Sequence, residues 1–116
     1  MADRPALEPH TLVLLMRPAD APPLGDDEAE DLQRRHLAFL QEKRREGVMA
    51  AAGPFQGQPD QSWRGLCVYL VPPDRARVLA EQDPLVLRGR LIIETLTWLV
   101  PVGEVSFPAG ASDRPA

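Results

Sequence analysis

The chain is poor in cysteine, histidine and positive charge, and it has no long apolar run. A single cysteine, Cys67, in 116 residues excludes an intrachain disulfide framework and suits a reducing compartment. Two histidines and that cysteine, with no CxxC or HxxxH spacing, supply no within-chain zinc ligand set. Lys and Arg number 13 against 17 Asp and Glu, a net charge of −4, so nothing draws the chain to nucleic acid in general. No apolar stretch approaches the ~20 residues that span a bilayer, and the start shows no basic segment followed by an apolar one. Glycine-rich phosphate and dinucleotide fingerprints and a G-x-S-x-G elbow are missing as well. These absences predict a soluble cytoplasmic protein that engages neither nucleic acid nor membrane.

Proline is in excess, with 13 residues, about twice average usage. A hydrophobic fraction of 44% argues against a disordered chain, and the prolines leave clear windows at 10–17, 24–53, 60–71, 74–83 and 85–100. Proline therefore punctuates elements that cannot contain it. The length suits one domain burying roughly 60% to 70% of its unfolded surface, enough for a core but little for a deep enclosed pocket.

The first window holds Thr11 to Arg17, an apolar run of strand length. The second opens on Asp26-Asp27-Glu28 and runs to Lys43-Arg44-Arg45, charges that suit a helix dipole, with Gly47 as the stop. Ala29, Leu32, His36, Phe39 and Leu40 share one face of that helix. Val48 to Ala52 reads as a short strand, and Arg64 to Val71 as another, rich in large and β-branched residues. Ala76, Leu79, Ala80 and Asp83 mark a second helix that must end by Asp83, ahead of Pro84. Leu91 to Val100 is a long strand stopped by Pro101.

Strand, helix, strand, strand, helix, strand is the ferredoxin-like βαββαβ pattern, an α+β fold with both helices on one face of an antiparallel sheet. Both faces of the last strand are apolar or semi-apolar, so the open side of the sheet needs cover, which a homodimer would supply. The domain spans 11–103, between an N-terminal tail, 1–10, and a C-terminal tail, 104–116, both expected to be mobile. No internal repeat appears beyond the loose similarity of two strand-helix-strand halves.

His36 lies in an apolar stripe, where an imidazole either finds a polar partner or rims a pocket. Asp83 either stops its helix through local backbone hydrogen bonds or meets His36, because the fold sets the two helices side by side. A carboxylate beside a histidine orients the ring for acid-base chemistry near neutral pH. Cys67, in mid-strand, reads as a buried inert thiol. Arg17 and Arg90, at strand ends, suit either an anionic ligand or ordinary surface solubility. Trp98 reads as core or dimer interface, and the loop 56–62 between Phe55 and Trp63 as a connection or a lid.

Taken together, these segments resemble the YciI-like (YCII-related) family of small dimeric ferredoxin-like proteins, from about Thr11 to Gly103. The resemblance rests on the apolar first strand, His36-Leu37-Ala38-Phe39-Leu40 before Glu46-Gly47, Gly53-Pro54-Phe55, and Asp83-Pro84-Leu85 with Gly89 five residues beyond the proline. It implies a dimeric α+β barrel whose active-site histidine falls on His36 and aspartate on Asp83. Gly53, Pro54, Phe55 and Pro84 would shape a substrate pocket. Some relatives carry out lyase or dehydrochlorinase-type chemistry on small ring compounds, and the fold resembles that of muconolactone isomerases. The chain departs from the family in Leu85, where Phe or Tyr is common, and in its Pro22-Pro23 loop.

The expected function is cofactor-independent acid-base catalysis by His36 and Asp83 on a small cyclic or aromatic metabolite, with anionic compounds among the candidate ligands. A non-catalytic small-molecule-binding or interaction module on the same dimeric scaffold is the alternative.

Overall fold

Prolines bound most of the elements. In the computed structural model, which describes residues 5–107, the chain runs β1 Leu7–Met16, α1 Asp26–Arg45, β2 Met49–Pro54, β3 Trp63–Tyr69, α2 Pro73–Ala80, α3 Pro84–Leu87 and β4 Ile92–Pro101. Pro54 and Pro101 close strands, while Pro73 and Pro84 open helices, where a missing N–H costs nothing.

The four strands form one antiparallel sheet in the order β2-β3-β1-β4, the arrangement expected of a ferredoxin-like fold. Alternate residues send Val13 and Leu15 of β1, Cys67 and Tyr69 of β3 and Ile93 of β4 into one core. There they pack with Leu32 of α1, Ala76 and Ala80 of α2, and Leu85 of α3. The opposite face carries Leu12, Leu14, Leu66 and Val68, half-buried, beside Ile92, Leu96 and Trp98 of β4, which are 45–48% exposed.

Three expectations change. β1 starts at Leu7 rather than Thr11, because β4 runs on to Pro101 and its backbone is paired back to Leu7; Leu7–His10 therefore belong to the sheet and not to the tail. Residues 1–4 and 108–116 of the expected tails lie outside the described residues. The buried stripe of α1 is Leu32, His36 and Lys43, with Phe39 and Leu40 half-buried and Ala29 exposed. Lys43 buries its stem while its ammonium reaches Glu46, at 3.1 Å, and lies over the Phe39 ring. Finally, the second helix stops at Ala80, and Asp83 opens a separate short helix, α3, as its N-cap.

Candidate active site

α1 and α3 meet through a single buried hydrogen bond. His36 Nδ1 and Asp83 Oδ2 are 2.6 Å apart, although 47 positions separate them in the chain. Asp83 is 2% exposed and His36 8%. The other Asp83 oxygen, Oδ1, accepts the backbone N–H of Leu85 at 2.9 Å, so one carboxylate caps α3 and grips the imidazole of α1. This follows from local sequence: an Asp directly before a Pro is a helix-start signal, with the carboxylate taking an orphan N–H and the proline at the first helical position. Asp83 thus converges on His36 through one oxygen, while the local backbone contact of the other opens α3 instead of stopping the preceding helix.

A carboxylate can only accept, so the bonded Nδ1 carries the proton and Nε2 is left to a cavity that His36 lines. The cavity has a volume of about 250 Å³. It exists because β2 and β3 offer little side-chain bulk beneath α1: Ala52, Pro54 and Gly65 lie on the helix-facing side, and Gly53 completes that wall. The two strands approach so closely that a Cβ on Gly65 would stand 2.8 Å from the Gly53 carbonyl oxygen. Across from this wall, Gln33, Leu37 and Leu40 extend the His36 face of α1, and Leu85 and Leu91 close the inner end.

Arg17 and Arg64 also line the cavity. Arg17 follows Leu15 by the two-residue step of the strand, and its N–H is fixed to the Ser62 carbonyl at 2.7 Å. Arg64 is left unmatched where the β1/β3 register shifts between Leu15 and Met16, an irregularity of the kind that redirects side chains from strict alternation. Burial, and then the charges of Arg90 and Arg64, hold the Arg17 pKa below its ordinary value.

Of the sequence-derived pocket residues, Gly53 and Pro54 line the cavity and Phe55 and Pro84 do not. Phe55 continues the strand pairing through its N–H to the Arg64 carbonyl, and Pro84 acts at one remove by opening the helix that Asp83 caps. Gln33 and Arg64 went unread. Gln33 is legible in retrospect, one turn before His36 on the same face, whereas a strand irregularity such as that at Arg64 leaves no mark in the residue pattern.

No protein-family model matches the chain, and no curated protein does. Among solved structures, the fold is similar to that of 5-chloro-2-hydroxyhydroquinone dehydrochlorinase from Burkholderia phenoliruptrix, determined in complex with 2,5-dihydroxybenzoquinone. The match has a TM-score of 0.53 and 18% identity over 77% of this chain and 92% of that one. At that identity the likeness concerns the fold, a ferredoxin-like α+β scaffold.

Cys67 lies in the core near this site without taking part in it. Burial, and secondarily the Asp83 charge, push its thiol up to about 12 from an ordinary 9.0, so almost no thiolate exists at neutral pH. In the unfolded chain the proton leaves near pH 9, while the folded chain holds it to about pH 12. This stabilising contribution is complete below pH 9 and is lost as pH rises from 9 to 12. Native protein at pH 8 should not react with a disulfide reagent and should react fully once unfolded in guanidinium; fast labelling of native protein would show the thiol accessible and ionised.

Proposed function

We propose that the chain is a cofactor-independent acid-base catalyst acting on a small cyclic or aromatic metabolite, an isomerase or lyase of the dehydrochlorinase type. The observation that carries this reading is the His36 Nδ1 to Asp83 Oδ2 bond at 2.6 Å, with His36 on the wall of a cavity. Nε2 takes a proton from the bound ring compound, and Asp83 stabilises the imidazolium that forms and fixes the tautomer that makes Nε2 the base. The same Nε2–H then returns the proton at another position or to a departing group. Because Asp83 acts through His36, it is a positioning residue. The similarity in fold to a dehydrochlorinase solved with a quinone supports a substrate of this size and class.

The first compound to test is 5-chloro-2-hydroxyhydroquinone, followed by other hydroxylated and halogenated rings, with halide release and solvent-deuterium incorporation as readouts. Where turnover is found, His36→Gln should lower it by about 100-fold or more. Asp83→Asn, which keeps an oxygen to cap α3, should leave the protein folded but lower kcat and change the pH profile. Turnover unaffected by His36→Gln would refute the proposal. Ring compounds that bind without halide release or deuterium exchange would favour a binding module instead.

A second copy of the chain is proposed to cover the open sheet face. Ile92, Leu96 and Trp98 are about half exposed there, beside Leu12, Leu14, Leu66 and Val68, and this apolar face, interrupted by Glu94 on β4, can pack against its own two-fold copy. Sedimentation equilibrium at micromolar concentration should give the mass of two chains, and Leu96→Lys should reduce it towards one. A wild-type mass near a single chain would contradict this assembly.

A further inference from the structure

Two arginines, Arg17 and Arg64, line the His36 cavity, a third, Arg90, is bonded to Arg17, and among the described residues no carboxylate lies within ion-pair distance of any of the three. Their partners are backbone carbonyls: Arg17 Nε donates to the Arg90 oxygen at 3.2 Å, Arg90 Nη1 to the Pro22 oxygen at 2.8 Å, and Arg64 Nη1 to the Gln61 oxygen at 3.4 Å. Each bond uses one of a guanidinium's five donors, so the heads are oriented but not neutralised. Arg90 holds Arg17 from behind, and Arg17 and Arg64 reach the cavity itself.

The cluster runs against the charge of the whole chain, which is −4. Arg88, by contrast, pairs with Glu28 at 2.9 Å. Bringing three like charges together beside a partly enclosed space is unfavourable unless an anion enters that space. The depressed Arg17 pKa fits the same crowding. Apart from Gln33 and His36, the remaining wall is apolar, with Leu37, Leu40 and Leu85 facing Gly53 and Pro54, which suits the face of a ring. A cavity of about 250 Å³ is smaller than the roughly 300 Å³ at which drug-sized sites begin, so it admits a single-ring molecule.

We infer that Arg17 and Arg64 bind a carboxylate on the ring compound that His36 acts on, so that the substrate class is a small cyclic or aromatic carboxylic acid. The assignment rests on the acid-base reading for its catalytic part, while the anion site itself stands on the arginines. Forked guanidinium contacts suit a carboxylate and fix the ring with one edge towards Nε2. Arg17 and Arg64 are therefore specificity-determining residues.

The test compares 2,5-dihydroxybenzoate with its neutral isostere 2,5-dihydroxybenzamide by calorimetry on the wild-type protein. The acid should bind about tenfold or more tightly than the amide, and its affinity should fall as salt rises. Arg17→Gln and Arg64→Gln should each remove most of that preference by weakening acid binding far more than amide binding, and Arg17→Lys should restore part of it. Equal affinity for acid and amide in the wild-type protein would overturn the inference even if Arg17→Gln failed to fold, and so would an acid preference that survives both substitutions. His36→Gln should leave the acid preference in place while abolishing turnover. An anion site without turnover therefore sinks only the acid-base reading, and turnover of neutral rings without an anion site sinks only this one.

Discussion

The buried bond between His36 and Asp83 is the constraint on which the site depends. Asp83 is fully buried and the Nδ1 edge of the His36 ring is turned to it, so each group relies on the other there, and removing one partner leaves the other unsatisfied at a cost of about 1 to 3 kcal/mol or more. The bond is also structural. Asp83 caps α3 with one oxygen and holds α1 with the other, so the position of the imidazole, the start of α3 and the inward placement of Leu85 are set together. The exposed Arg88 to Glu28 pair joins the same helices at the surface, where an ion pair contributes little.

Given that anchor, the cavity follows from side-chain volumes. α1 cannot settle onto a sheet whose near surface is Ala52, Pro54 and Gly65, because no large side chains rise from it to fill the gap. A larger residue at Gly65 would strike the β2 backbone, so the strand pair tolerates only glycine at that wall without adjustment. The strand irregularity beside it leaves Arg64 at the rim, and the strand step that buries Leu15 carries Arg17 to the same place. An imidazole from α1, an apolar wall and two cations thus share one small space, the cations brought there by the end of β1 and by the β1/β3 irregularity.

Much of this was legible in the residues. Proline spacing, Gly47 as the stop inside the longest window, and apolar runs of distinct length gave the order of the strands and the two longer helices. Helical periodicity put His36 on the buried face of α1. The pairing of His36 with Asp83 was only one of two readings, since a contact across 47 positions depends on how two helices pack and not on either one's periodicity. α3 was missed because Asp83-Pro84 was read only as the end of a helix, when the same dipeptide also begins one. Lys43 was left out of the buried stripe because its charge hides the apolar stem that actually packs. The early start of β1 depends on how far β4 extends, and the placement of Arg64 on a register shift between strands; neither is written in local composition.

In the proposed mechanism Asp83 holds the neutral His36 ring with its proton on Nδ1, leaving Nε2 as the base in the cavity. Nitrogen-15 NMR of histidine-labelled protein tests it directly, at a pH where His36 is neutral, with His36→Gln used to assign its signals. A protonated, pyrrole-type Nδ1 and an unprotonated, pyridine-type Nε2 are expected for His36. A His36 ring carrying its proton on Nε2 would contradict it.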